Sequence, residues 1–301
     1  MGYPGGKSGP GVYHRLINLM PPHPVYCEPF LGGGAVMRLK RPAPYNIGVD
    51  LDSGVIAAWR SRAGENAASA GRAGESAAGG PQAEMPRAAA RNLVATVNSP
   101  GAAAAGESAA SRRRRTAEAP PLARGGEVAA CGSAAESSSF RFLRGDGLTF
   151  LASYPFQPTD LIYCDPPYLM ETRSSGRLYK HEMSDDQHVE LLGTILELPC
   201  RVMISGYWSQ MYNQALKGWN RINFMAMTRG GMAEEWLWFN YAKPVELHDY
   251  RFLGENTRKR QDLRRQIASW AGKLERMPAL KKQALLAAIA GHGESAAGIP
   301  V

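Results

Sequence analysis

An α/β fold, with an open and mainly parallel sheet covered by helices, is predicted by three observations. Apolar runs of strand length recur at 25–27, 46–50, 161–164 and 201–205, as expected for strands buried on both faces of a sheet. Three of these runs stop at once in an acid: Glu28 after the first, Asp50 at the end of the second, and Asp165 followed by Pro166, Pro167 and Tyr168 after the third. Helix-patterned stretches lie between them, which is the alternation of βαβ units. With 301 residues, 44% of them hydrophobic, the chain has material for one large domain or two small ones.

The four cysteines, Cys27, Cys131, Cys164 and Cys200, show no CxxC spacing and no clustered histidines accompany them. Neither a disulfide framework nor a metal site is predicted, and a reducing cytoplasm is the expected compartment. No apolar run reaches the length of a membrane span, and the first residues lack the charged-then-apolar layout of a signal peptide, so no membrane association is expected. The net charge is +8, and residues 251–282 carry ten basic groups against three acids. Such a surplus suggests a polyanionic partner, most simply nucleic acid; taken alone, a solvated helical face explains it equally well.

In chain order, Tyr3-Pro4-Gly5-Gly6-Lys7-Ser8-Gly9 is a glycine-rich loop, followed by a short amphipathic helix over 12–20. Gly-Lys-Ser is not expected to be a phosphate-binding P-loop, since that motif needs a glycine at position 1, where Met stands, with a strand leading in. Strand 25–27 leads into Glu28-Pro29-Phe30-Leu31-Gly32-Gly33-Gly34 and a helix to about Lys40, a layout that lets backbone amides approach a ligand. Strand 46–50 ends in Asp50, eighteen residues beyond Gly32, a spacing suited to a carboxylate that grips a ribose. The dinucleotide fingerprint would need glycine at position 37, where Met stands, so a nicotinamide enzyme is the second-rank reading and a nucleoside cofactor without a pyrophosphate the more natural one.

Ser53 is expected to cap a helix through Trp59. From 60 to 139 there is no aromatic residue, alanine dominates, and Ala-Gly-Glu-Ser-Ala-Ala occurs at 73–78 and again at 105–110. Too few large apolar groups are present to offset the entropy of ordering, so 60–139 is expected to be a disordered insertion. A strand over 140–143, a Gly145-Asp146-Gly147 turn and a helix start at 148–153 follow. The 169–183 stretch reads as a substrate-facing loop, Ser184 to Gln187 as a capping box opening a helix to about 198, and 201–205 as a buried strand. A further helix to about 216 and an antiparallel strand pair, 222–227 with 236–241 around Arg229, complete the body. In the basic tail, 246–290, Leu263, Ile267, Trp270 and Leu274 form a helical stripe expected to pack on the body, leaving the arginines free; 291–301 is expected to be frayed.

Proline cannot extend a central ladder, so the third strand ends at Asp165, and in open α/β sheets ligands sit beyond such strand ends. A carboxylate, the bare carbonyl of Pro166 and the ring of Tyr168 together make a receptor for a planar amine. Standing alone, Asp-Pro-Pro is more often a capped turn.

Gly-Gly-Lys near the start, Glu-Pro-Phe-Leu-Gly-Gly-Gly, the acid at Asp50, Gly-Asp at 145–146 and Asp-Pro-Pro-Tyr, in this order, resemble the motifs of Dam-type adenine-specific DNA methyltransferases, closest to phage-like members with a basic helical tail. The resemblance spans roughly 1–59 and 140–290, leaving the insertion where the family commonly keeps its target-recognition domain. It implies a Rossmann-like class I S-adenosylmethionine-dependent methyltransferase sheet, with a catalytic domain at 1–59 and 140–245, and DNA methylation of the restriction-modification kind. It implies S-adenosyl-L-methionine as cofactor, with Tyr3, Gly6 and Lys7 over its methionine end, Glu28, Pro29, Phe30, Gly32 and Gly34 around the cofactor turn, Asp50 on the ribose, Asp146 at the adenine and Asp165 beside the reacting methyl. It further implies that Asp165, Pro166, Pro167 and Tyr168 act on an adenine swung out of the duplex, the first two accepting its amine hydrogens and Tyr168 stacking on the ring. Arg173, Arg177, Arg229, Arg258, Arg260 and Arg264 are the expected contacts to DNA. Two other readings stay open: methylation of another planar amine, in cytosine, RNA or glutamine, and a catalytically silent nucleic-acid-binding remnant.

Overall fold

The computed structural model describes residues 7, 9, 11–73, 138–173, 179–228 and 231–296, and the side chains of all these except 64–73, 228 and 292–296. Helix α1 (Val12–Ile17) precedes strand β1 (Val25–Glu28), helix α2 (Ala35–Leu39), strand β2 (Tyr45–Asp50) and helix α3 (Ser53–Ala73). Then come β3 (Ser139–Arg144), α4 (Gly147–Ser153), β4 (Leu161–Cys164), α5 (Asp185–Glu197), β5 (Arg201–Gly206) and α6 (Gln210–Ala215). An antiparallel pair, β6 (Asn220–Thr228) and β7 (Gly231–Phe239), closes the sheet, and helices α7 (Thr257–Glu275) and α8 (Ala279–Ala296) form the tail.

The predicted α/β fold class is what forms. Seven strands lie in the order β3-β2-β1-β4-β5-β7-β6; the first five pair in parallel and β7 runs against β5. Chain order reverses between β1 and β4, which makes that junction the switch point where the strand ends splay into a crevice. Side-chain alternation along β4 feeds both faces: Ile162 and Cys164 join the cluster under α4, α5 and α6, whereas Leu161 and Tyr163 join the one under α1, α2 and α3. Because both faces are covered, all four β4 residues are buried, as a continuous apolar run requires.

Local chemistry sets the helix starts. Ser184 and Gln187 form the expected capping box at α5. At α3 the cap is Asp52, whose carboxylate accepts the Gly54 amide at 2.8 Å, in place of the expected Ser53. Helix α3 also runs beyond Trp59 to Ala73, because alanine-rich sequence without proline has high helix propensity even where it has nothing to bury; the rest of the insertion, 74–137, lies outside the described residues. Similarly, α8 reaches Ala296, six residues into the stretch expected to fray.

The expected packing of the α7 stripe does not occur. Ile267 and Trp270 are 54% and 60% exposed, and only Arg260 of that helix is buried. The helix is fastened at its foot instead, where Phe252 packs on Tyr13 and His14 and its carbonyl accepts the Asn18 amide at 2.8 Å. No described helix is long and apolar enough to cross a membrane.

Candidate active site

The switch-point crevice is a cleft of about 650 Å³ with its open mouth counted in, and its walls come from the turns after four parallel strands. Pro29, Phe30 and Gly32 follow β1, Asp50 and Leu51 follow β2, Asp146, Gly147 and Leu148 follow β3, and Asp165 and Pro167 follow β4. One cleft thus brings Asp165 and the Gly32 turn together, the juxtaposition on which the resemblance depends.

The β1 turn is held open from outside. Trp59 donates its indole N–H to the Gly32 carbonyl at 3.1 Å, and Leu31 donates its amide to Val49 at 2.9 Å. Gly34 sits at φ 49°, and a Cβ there would lie 2.3 Å from the Trp59 ring, so Gly34 is a packing glycine rather than a lining one. Gly147 has the same character on the cleft side: an added Cβ would lie 2.4 Å from the Pro29 carbonyl oxygen. The β1 and β3 turns therefore touch through backbone, which places Asp146 beside Phe30.

Asp50 accepts the Gly32 amide at 2.8 Å through one oxygen and the Asp52 amide at 2.8 Å through the other. Burial raises its pKa above the ordinary carboxylate value, in spite of those two amides. Asp146 caps α4 through Oδ1, accepting the Thr149 amide at 2.8 Å and hydroxyl at 3.0 Å. Glu28, by contrast, is 3% exposed, takes the Tyr26 hydroxyl at 2.8 Å, and faces the interior; burial pushes its pKa up to about 8. It does not line the cleft.

Asp165 is held from behind. Its Oδ1 accepts Ser205 Oγ at 2.8 Å and the Tyr168 hydroxyl at 3.2 Å, and Lys7 Nζ lies 2.9 Å away. Lys7, 3% exposed, also hydrogen-bonds the Tyr168 hydroxyl and lies 3.3 Å from Glu235 Oε2. Burial works to lower the Lys7 pKa, but the Asp165 and Glu235 carboxylates outweigh it and hold it above the ordinary lysine value. Lys7 thus stands behind the carboxylate and not over the cleft. Tyr168 is buried, set edge-on to Tyr207 with ring centroids 4.8 Å apart, and shows no face to the cleft. Pro166 is buried and Pro167 lines the wall.

The loop expected to face substrate does form a wall, through Tyr179, His181, Glu182 and Met183, and it reaches across to β2, where Lys180 pairs with Asp52 at 3.1 Å. Arg173 of that loop is turned inward, however. Its side chain, 2% exposed, donates to the Tyr168 carbonyl and pairs with Glu182 at 2.8 Å. It clamps the turn after β4 instead of facing outward. Arg260 is likewise spent internally, on the Gly254 carbonyl at 3.2 Å and the Thr257 hydroxyl at 3.1 Å, whereas Arg258 and Arg264 are exposed. Tyr3, Gly6, Arg177 and Arg229 lie outside the described residues. Sequence reasoning missed Ser205, Glu235 and His181, each remote in sequence from every acid it serves.

No protein-family model and no curated protein matches the chain. Among solved structures it is similar to an rRNA methylase from Streptococcus thermophilus, at 10% identity over 76% of this chain and 93% of that one, with a TM-score of 0.36. It is similar to magnesium protoporphyrin IX methyltransferase from Synechocystis with bound SAM, at 10% identity, 76% and 75% coverage and a TM-score of 0.35. A third is precorrin 8W decarboxylase from Methanobacterium thermoautotrophicum, at 11% identity, 80% and 100% coverage and a TM-score of 0.34. Superpositions at this level leave the chemistry to be read from this chain's own residues.

Proposed function

We propose that this protein transfers a methyl group from S-adenosyl-L-methionine to the 6-amino group of adenine in DNA. The observation that carries the reading is the single cleft with Asp50 and Asp146 along one side and Asp165 at the switch point. The residues fit that cofactor: Asp50 keeps lone pairs on both oxygens for a ribose diol, Phe30 supplies a flat wall, and Asp146 an acceptor at the purine end. When bound, S-adenosylmethionine supplies a methyl group on a sulfonium, an electrophile that needs neither metal nor covalent enzyme intermediate.

The protein's share is binding, orientation and charge. An adenine amine is a weak nucleophile because its lone pair is delocalised into the ring. Asp165 and the Pro166 carbonyl accept its two hydrogens, which favours the pyramidal nitrogen, and the Asp165 anion gains most where positive charge develops on that nitrogen. Tyr168, locked to Asp165, steadies the carboxylate, and the exposed Trp208, next to the half-buried Tyr207 that packs on Tyr168, is the ring left open to a flipped base. Exposed Arg258 and Arg264 supply phosphate contacts without sequence readout, so affinity falls steeply with salt.

Labelled methyl transfer to unmethylated DNA, followed by nucleoside analysis, tests the reading: N6-methyladenine is expected. Asp165→Ala is expected to lose transfer by roughly a hundredfold or more while retaining cofactor binding by calorimetry. A methylated product other than adenine, no product from DNA at all, or an Asp165→Ala protein working at the parent rate would overturn it.

A further inference from the structure

The geometry points to Glu235, acting with Lys7, as the pair that positions Asp165 and keeps its anionic field directed at the substrate amine. This rests on the reading of Asp165 as the amine's acceptor. The three groups come from distant places: the N-terminal loop, the end of β4 and the middle of β7. Lys7 and Glu235 are each 3% exposed, and neither touches the cleft. They act on the cleft only through Asp165, whose Oδ1 takes the Lys7 ammonium at 2.9 Å together with Ser205 Oγ at 2.8 Å.

A lysine in direct contact would by itself cancel the charge on which Asp165 depends. Glu235, 3.3 Å from the same Nζ, supplies a second negative charge, so two carboxylates share one ammonium and the buried set stays anionic. Its Oε2 makes no hydrogen bond, and the carboxylate is held by the Lys7 ion pair and by the Tyr168 hydroxyl. An acid buried this way is costly, and both of these partners lead to the functional carboxylate. The arrangement also fixes orientation, since three donors on Oδ1 leave Oδ2 as the oxygen available to substrate.

Besides the pair, the titratable groups within reach of Asp165 are Tyr163, Tyr168, Tyr179, Tyr212, Cys164 and Glu28. Burial keeps the tyrosines and the thiol neutral near pH 7, but Glu28 titrates close to it, so the informative quantity is the difference between variants. Removing the Glu235 charge takes away one of the two carboxylates that hold the Lys7 ammonium, so Lys7 titrates at lower pH, and removing the Lys7 charge leaves two buried carboxylates with no cation between them.

The test uses the full chain with Glu235→Gln, Glu235→Asp and Lys7→Met, each checked by thermal melting. Glu235→Gln is expected to lower kcat by roughly ten- to hundredfold, as loss of a supporting partner typically does, with KM for S-adenosylmethionine within about twofold. Glu235→Asp, which keeps the charge, is expected to recover part of the rate, and Lys7→Met, which leaves Asp165 without its ammonium, is expected to lower kcat as well. In a carbon-13 NMR titration, the Lys7 Cε is expected to titrate at lower pH in Glu235→Gln than in the parent protein. Parent-like kcat in Glu235→Gln, or an unmoved Lys7 titration, overturns this inference alone. Absence of methyl transfer by the parent protein overturns instead the reading on which it rests, and the Lys7 titration still decides the coupling.

Discussion

Asp50 shows how one side chain can serve both the scaffold and a ligand. Its two oxygens each hold one backbone amide, from Gly32 and from Asp52, which leaves free lone pairs aimed into the cleft. Replacement by asparagine puts an NH2 group against one of those amides and removes the charge. A hydrogen bond to a charged group contributes about 1.5–3 kcal/mol, so Asp50→Asn is expected to weaken S-adenosylmethionine binding by roughly ten- to hundredfold in calorimetry. The rate at saturating cofactor should change little, because Asp50 does not adjoin Asp165. At this scale the sequence was informative wherever an acid closes a parallel strand: Asp50, Asp146 and Asp165 all face one cleft, since strand ends at a switch point have nowhere else to face. It was uninformative about side chains whose direction depends on tertiary contacts. Arg173 and Arg260 looked like free cations, yet each is spent on backbone carbonyls nearby. Ser205 and Glu235 carried no local signal, because they meet Asp165 only through the pairing of β5 with β4 and β7.

Among the elements, the β1 and β3 turns are the pair whose separation fixes the width of the cleft. Gly147 opens α4, and its Cα faces the Pro29 carbonyl so closely that an added Cβ would stand 2.4 Å from the oxygen. Backbone atoms cannot rotate away as a flexible side chain would, so Gly147→Ala must drive the two turns apart and carry Asp146 with it. The expected result is cofactor binding weakened by about tenfold or more, the sheet remaining folded by circular dichroism; binding at parent affinity would show that the contact does not set the cleft. The glycine run after β1 was legible as a ligand-approach turn, and Gly32 fulfils it. Gly34 and Gly147 show why such runs resist finer reading, since one accommodates Trp59 and the other a carbonyl, and neither neighbour is near in sequence. The apolar stripe of α7 failed as a packing signal for a related reason. Helical spacing says which residues share a face, not whether anything covers it, and here Ile267 and Trp270 remain exposed.

For the molecule as a whole, the tail is joined to the body by a buried pair of histidines. His23, ahead of β1, and His248, after β7, stack with ring centroids 4.0 Å apart, and both are 4% exposed. Each is tied as a neutral ring: His23 Nδ1 lies 2.7 Å from the Pro21 carbonyl and His248 Nε2 lies 2.9 Å from that of Arg41, so each donates its one N–H. Burial, then the nearby Lys40 ammonium, holds their pKa values down to about 2 for His23 and about 4 for His248, against an ordinary 6.5. Arg41 and Arg201 add to the same repulsion. Between about pH 6.5 and 4 the unfolded chain therefore binds more protons than the folded one at both sites, and stability falls as pH drops through that window. The slope is at most about 1.4 kcal/mol per pH unit for each ring; below pH 4 only His23 continues to contribute. Glu28, raised to about 8, works with the opposite sign over the same range, so the pair is read by difference: in thermal melts from pH 7.5 to 4, His248→Gln, which can still donate to Arg41, should lose less stability than the parent protein as pH falls. An unchanged pH dependence in that variant would mean that the pair is not what acid breaks. Because His248 also donates its backbone amide to Met20 at 2.9 Å, its loosening should release the tail before the sheet. Limited proteolysis at pH 5 should accordingly cut between the body and α7 sooner than it does at pH 7.5.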